Sequence, residues 1–218
     1  MKKYRKLNEY SILMRLLVVA KRLCWNILDY IILPAKTKFL EKLWHMHCGD
    51  DVVFKGNTII RTYQRNSIEI GNNVVFNSCK NENLVGLSGP TILCAARGGR
   101  IEIGEYSGLS SVVINARKLI KIGRHVKIGG NVRIYDHDFH PLEWQARRSP
   151  EQVEKTRVKP VVIGDDVFIG TNAIILKGTN IGARSVVAAG CVVFGLDIPP
   201  DSIVKGNPAK VISRGEKD

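Results

Sequence analysis

Between residues 163 and 193 a β-branched aliphatic residue stands at every sixth position: Ile163, Ile169, Ile175, Ile181, Val187 and Val193. Four residues after each of the first five comes a small or β-branched side chain: Val167, Ala173, Thr179, Ser185 and Cys191. An α-helix repeats about every 3.6 residues and a strand about every 2, so neither accounts for a period of six. The same spacing links Cys48, Phe54 and Ile60, then Ile70 and Phe76, Ile103 and Leu109, and Ile122, Ile128 and Ile134. The dipeptide Ile-Gly recurs at 70–71, 103–104, 122–123, 128–129, 163–164, 169–170 and 181–182. A short fixed repeat predicts a solenoid. Six residues suit a chain that runs extended, turns a corner and repeats. The aliphatic residue points inward, the small one fits the narrowing, and Gly or Asn takes up unusual backbone angles at the corner. Three such faces close a triangular coil, and each strand pairs with those above and below. The expected fold is an all-β solenoid over residues 48–212, with 213–218 as a C-terminal tail.

Residues 1–47 follow a different pattern. Apolar residues are dense there, but Arg15, Lys21, Arg22 and Asp29 interrupt them, and no run reaches the roughly 18–20 residues of a membrane span. No small-residue cleavage site follows the apolar part, so a signal peptide is not expected. The segment reads as one or two amphipathic helices, the first ended by Pro34. Ten lysines and arginines stand against three carboxylates in it. It either caps the open end of the coil or lies on a membrane with its lysines toward lipid headgroups.

The period fails between Ile134 and Ile163, and a long excursion from a compact repeat is where function is expected. This protruding loop, 135–160, holds His137 and His140, with Asp136 and Asp138 beside them. Histidine titrates near neutrality and suits a general base, and an adjacent carboxylate can fix its tautomer. At 218 residues and 44% hydrophobic, the chain holds one well-buried domain. Its net charge of +13 points to anionic partners. The basic residues are spread out, without interleaved aromatics or a recognition-helix motif, which argues against nucleic acid. Five cysteines without a C-x-x-C spacing suggest reduced thiols in a cytoplasmic protein.

The [LIV]-G-x-x-[STAV]-x hexapeptide resembles that of the hexapeptide-repeat acyltransferases, over residues 48–212. The resemblance implies a left-handed parallel β-helix, a homotrimer with active sites between subunits, and acetyl-CoA as co-substrate with no metal. Within the family, "IGGNVRIYDHDFHPLEW" followed by "KPVVIGDDVFIG" is similar to the maltose, galactoside and nodulation-factor O-acetyltransferase branch. It also resembles a polysaccharide-modifying branch with a D-x-D-F-H motif. The H-P-L match makes His140 the general base and puts His137 at a variable position. Asp136 and Asp138 are its implied partners. The acceptor side would take Ser111, where relatives place an asparagine, together with Asn115, Tyr135 and Trp144. Asn115 stands where the hexad expects an aliphatic residue. Arg147 and Arg148 would help Trp144 shape the pocket.

Coenzyme A would follow the later coils past Gly170, Thr171 and Ala189, where small residues admit the pantetheine arm. "DIPPDSIVKGNPAKVISR" matches the family's closing phrase and would set Lys210 and Arg214 near the adenosine phosphates. Phe194 and Gly195 stand where relatives often have Thr and Lys. The implied activity is O-acetylation of a carbohydrate hydroxyl, on a surface polysaccharide or its lipid-linked precursor. An amine on an amino sugar is the alternative acceptor, and a non-catalytic scaffold the alternative role. A zinc site of the carbonic anhydrase branch would need His125 with His137 and His140, whose spacing does not match. The expected setting is cytoplasmic, with peripheral membrane contact through residues 1–47.

Overall fold

The computed structural model describes residues 32–213. The expectations for residues 1–31, Cys24 among them, and for Arg214 and the rest of the tail lie outside the described residues. The described chain forms three sheets in which each strand pairs with the third strand along. One holds β1 (His47–Cys48), β4 (Ile68–Ile70), β7 (Arg100–Ile103), β10 (Leu119–Ile122), β13 (Val161–Ile163), β16 (Asn180–Ile181) and β19 (Asp197–Ile198). Another holds β2 (Val53–Gly56), β5 (Val75–Ser78), β8 (Gly108–Leu109), β11 (Lys127–Ile128), β14 (Phe168–Ile169), β17 (Val186–Val187) and β20 (Ser202–Lys205). The last holds β3 (Thr58–Thr62), β6 (Thr91–Ala95), β9 (Val113–Ala116), β12 (Arg133–Tyr135), β15 (Ile174–Leu176) and β18 (Val192–Phe194). They run from β1 (His47–Cys48) through β20 (Ser202–Lys205). We call these faces A, B and C. Every pairing among them is parallel, which is the pattern of a chain wound with three strands per turn.

Register shows why the period is six. Ile70, Ile103, Ile122, Ile163, Ile181 and Ile198 stack in one column on face A. Phe54, Phe76, Leu109, Ile128, Ile169, Val187 and Val204 stack on face B. Ile60, Leu93, Ile114, Ile134, Ile175 and Val193 stack on face C. All these side chains are buried, and the Phe54 and Phe76 rings lie parallel at 4.6 Å. The small residues at 167, 173, 179, 185 and 191 are buried as well. One expected position is corrected. Ile114 takes the inward place on β9 (Val113–Ala116), five residues after Leu109, and Asn115 faces outward between Cys94 and Tyr135.

The corners divide the glycines between two tasks: Gly178, Gly190 and Gly195 take left-handed angles as expected, with φ 75°, 70° and 61°, and the glycines of the Ile-Gly pairs serve another purpose. In the Ile-Gly pairs that end face A, glycine does not take a left-handed angle. A Cβ on Gly164 would sit 2.7 Å from the Ala183 amide nitrogen, and one on Gly182 2.3 Å from that of Pro200, so consecutive coils touch there. The left-handed angle falls two residues later, on Asn73, Tyr106, His125, Asp166 and Arg184, with φ between 56° and 62°. Each of these amides donates to the coil before it, as His125 does to Glu105 O at 2.9 Å, which offsets the backbone strain.

Helix α1, residues 32–44, lies against the first coil. Thr37 Oγ1 donates to Val52 O at 2.8 Å, Lys36 Nζ to Phe54 O at 2.9 Å, and Leu40 and Trp44 pack on the core. Pro34 lies inside this helix and marks no break in it. At the other end β21 (Lys210–Ser213) folds back antiparallel on β20. Among the described residues no helix is long and apolar enough to cross a membrane.

Two excursions leave the coil where one was expected. The first, 79–90, is closed at its base by Ser78 Oγ and Thr91 Oγ1 at 2.6 Å. Asn131 clamps it, accepting from the Ser88 amide at 2.8 Å and donating to Gly86 O at 3.0 Å. The second leaves after β12 (Arg133–Tyr135), carries α2 (Trp144–Arg147), and returns at β13 (Val161–Ile163).

Candidate active site

Tyr135 ends β12, and Asp136 turns the corner from face C toward face A. Its carboxylate is fully buried beneath the corresponding corner of the previous coil. Oδ1 accepts from the Arg117 amide at 2.8 Å, and Oδ2 from the Lys118 and Leu119 amides at 2.6 and 2.8 Å. Oδ1 also accepts from His137 Nδ1 at 2.9 Å. A carboxylate can only accept, so Nδ1 donates in this contact, and Nε2 has no hydrogen-bond partner among the described residues. His137 is 6% exposed, with the Phe139 ring 4.8 Å from its own. An antiparallel bridge from His137 to Val158 fixes the backbone, flanked by Asp138 N donating to Arg157 O and Lys159 N to Asp136 O.

The two histidines are thus held differently, and the difference runs against the motif match. His140 is exposed, its Nδ1 3.0 Å from Gln152 Oε1 on the same excursion. Asp136, not Asp138, orients a histidine. Asp138 turns to the next coil, where its Oδ1 accepts from Lys177 Nζ at 2.6 Å. Lys177 is 8% exposed and lies 4.6 Å over the Phe194 ring. Asp138 Oδ2 and Asn115 Oδ1 are buried without a partner among the described residues. Asn115 is level with Tyr135 across β9 and β12, and burial pushes the Tyr135 phenol above its ordinary pKa.

The other expected residues lie elsewhere. Ser111, Gly170, Thr171 and Ala189 follow the edge between faces B and C, whereas Asp136, His137, Asp138 and Lys177 follow the edge between C and A. Ser111 is buried with φ 45°, and its Oγ has no partner among the described residues. Gly170 is explained by packing, since a Cβ there would meet Ala189 N at 2.5 Å. Ala189 and Gly190 are exposed, and a Cβ on Gly190 would meet nothing within 4 Å, so that stretch of edge is bare. Trp144 is exposed on α2 with the Arg148 guanidinium 4.6 Å over its ring, and Lys210 is exposed on β21. His125 stacks on Tyr106 at 5.0 Å on the A–B edge, away from the other histidines. Among the described residues no three His, Cys, Asp or Glu side chains gather where they could hold a metal ion.

Lys177, Phe139 and Gln152 were not singled out from the sequence. For Lys177 the one signal is a lysine inside an otherwise clean run of hexads, four residues before Ile181.

Comparison with known proteins places this architecture. Residues 160–194 match the family model for the hexapeptide repeat of succinyl-transferase. A Saccharomyces cerevisiae protein provisionally named an acetyltransferase is 40% identical over 124 residues, 56% of this chain and 60% of that protein. A 2,3,4,5-tetrahydropyridine-2,6-dicarboxylate N-acetyltransferase of Staphylococcus aureus is 45% identical over 65 residues, 30% of this chain and 27% of that one. The matches therefore span less than two thirds of these curated relatives. Among solved structures, a hexapeptide-repeat-containing acetyltransferase of Vibrio cholerae O1 biovar eltor, complexed with acetyl-coenzyme A, is 30% identical. It superposes with a TM-score of 0.56 over 91% of this chain and 86% of that one. With the repeat, the register and this overlap in hand, the chain belongs to the hexapeptide-repeat acyltransferase family.

Proposed function

We propose that the protein is an acetyl-CoA-dependent O-acetyltransferase acting on a carbohydrate hydroxyl, with His137 as general base. The observation that carries the base assignment is the Asp136–His137 pair: a buried imidazole, its Nδ1 proton held by a carboxylate that three amides fix in place. In this reading His137 Nε2 takes the acceptor's hydroxyl proton as that oxygen attacks the thioester carbonyl. The new C–O bond forms, the C–S bond breaks, and the proton on Nε2 passes to the leaving thiolate. Asp136 stabilises the imidazolium between those two events.

The family's left-handed winding is part of the proposal, as is its trimer. Support for the trimer comes from the division of the site: the base lies on the C–A edge and the bare Ala189–Gly190 stretch on the B–C edge. A neighbouring subunit's B–C edge would bring acetyl-CoA to His137. Lys210 would meet its phosphates.

The acceptor reading rests on the motif resemblance and on Asp138 Oδ2 and Asn115 Oδ1, buried oxygens without a partner among the described residues, which suit a ligand rich in hydroxyl donors. A lipid-linked saccharide at the cytoplasmic face of a membrane fits α1. Its outward side exposes Ile32, Phe39 and Leu43 beside Lys38 and Lys42, an amphipathic surface for anionic lipid. An amine acceptor is the second reading, favoured by the N-acetyltransferase name of the staphylococcal relative.

The test is thiol release from acetyl-CoA by the purified full chain against sugars and amino sugars. His137→Ala is expected to lose on the order of 10²–10⁴ in kcat/KM, and His140→Ala less than about tenfold. If His140→Ala is the dead variant, the motif match prevails over the geometry and His140 is the base.

A further inference from the structure

The excursion places two carboxylates at one corner, and only one of them touches the histidine. Asp138 is tied to the following coil through Lys177. That lysine is 8% exposed, its ammonium 2.6 Å from Asp138 Oδ1 and 4.6 Å over the Phe194 ring. Gly178, next in the chain, donates to Lys159 O and Pro160 O, so the backbone that carries the lysine is fastened to the returning arm of the excursion. A lysine buried to this degree needs its charge neutralised, and Asp138 does so with one oxygen. The other oxygen, Oδ2, is buried and meets no donor among the described residues. An ionised oxygen in that position gains from a donor that arrives from outside the chain. Asn115 Oδ1, on β9 at the level of Tyr135, is in the same condition.

We propose that Asp138 reads the acceptor: its Oδ2 takes a hydrogen bond from a hydroxyl or amine neighbouring the reacting group, and Lys177 is the positioning residue that holds it there. This rests on the acyl-transfer reading above and deepens it, naming the substrate class as an acceptor with a second donor group beside the acetylated one. A site built to accept from a hydroxyl rejects the analogue that lacks it, because the buried oxygen is then left unpaired.

The experiment measures thiol release from acetyl-CoA with methyl hexopyranosides and each of their monodeoxy counterparts, using wild type, Asp138→Asn, Lys177→Met and Lys177→Arg. For the wild type, one deoxy position away from the acetylated hydroxyl is expected to cost on the order of 10² or more in kcat/KM. Asp138→Asn and Lys177→Met are expected to lose a similar factor on the parent sugar, in acceptor KM more than in the KM for acetyl-CoA. Both are expected to show little further loss on that deoxy sugar. Lys177→Arg keeps the charge and is expected to recover part of the loss. Thermal unfolding is followed alongside, and Asp138→Asn, which preserves shape, carries the test if Lys177→Met does not fold. Equal losses on parent and deoxy sugars would overturn the proposal while leaving acyl transfer intact. No thiol release by wild type with any sugar or amino sugar would overturn acyl transfer to such acceptors and this inference with it.

Discussion

Asp136 meets four donors from a position with no exposure, and it is the residue on which the proposed chemistry turns. Asp136→Asn keeps the shape but sets an NH2 group against the backbone amides. A mispaired buried donor costs about 1–3 kcal/mol, so a drop in stability of that order is expected by urea unfolding, with loss of turnover as His137 loses its fixed tautomer. Two thiols packed on the core, Cys191 buried and Cys48 partly buried, make a separate prediction. Burial, and then Glu41, push Cys48 up to about 12, and burial raises Cys191 as well. At pH 8 both stay protonated, so peptide mapping after iodoacetamide treatment should find them modified only when denaturant is present. The histidines themselves were legible, because the repeat stops where they begin. Which of them is oriented was not. H-P-L spacing counts residues along one loop, whereas the carboxylate that holds His137 is set by amides 17 to 19 residues earlier, in another coil. Lys177 was hidden for a related reason: the hexad constrains inward positions and leaves the corner free.

At the scale of a single coil, the repeat is a contact rule. The inward columns were readable because each aliphatic residue of one turn must meet its counterpart in the next, and a period of six is that requirement written in sequence. The exception, Asn115, shows its limit, for a turn one residue short moves Ile114 into the column and releases the asparagine to the outer face. Glycine at the face-A corners is required by the coil beneath it. Gly164→Ala and Gly182→Ala are therefore expected to lose about 1–3 kcal/mol each, since backbone must move to admit the methyl group. Gly89→Ala, with nothing within 4 Å of its Cβ, should stay within about 0.5 kcal/mol of wild type by the same denaturation. The 79–90 excursion escaped the sequence reading because the hexads around it were already interrupted, so no clean period failed there. Its anchors, Asn131 and the Ser78–Thr91 contact, are side-chain pairs across distant positions.

For the molecule as a whole, the division of the proposed site between two edges has a consequence that mixing can measure. Chains carrying His137→Ala are expected to be inactive, as are chains carrying Ala189→Trp, which fills the bare edge. Unfolded together and refolded as mixtures of the proposed trimer, they should regain roughly a quarter of wild-type turnover, because some interfaces pair two intact halves. No recovery would place both halves in one chain. Vesicle sedimentation tests the outer side of α1: Phe39→Glu with Leu43→Glu should release the protein from anionic vesicles and leave it as it was with neutral ones. The strand that folds back at the end, β21, carries a last implication. Parallel sheets whose rungs repeat so regularly offer, at each end, a template for another chain of the same kind. With α1 packed on the first coil and β21 reversing direction beyond β20, the ladder of face B is closed to a second molecule. A chain cut before residue 206 would lose that stop, and concentrated samples of it should grow into filaments, one protein continuing the coil of the next.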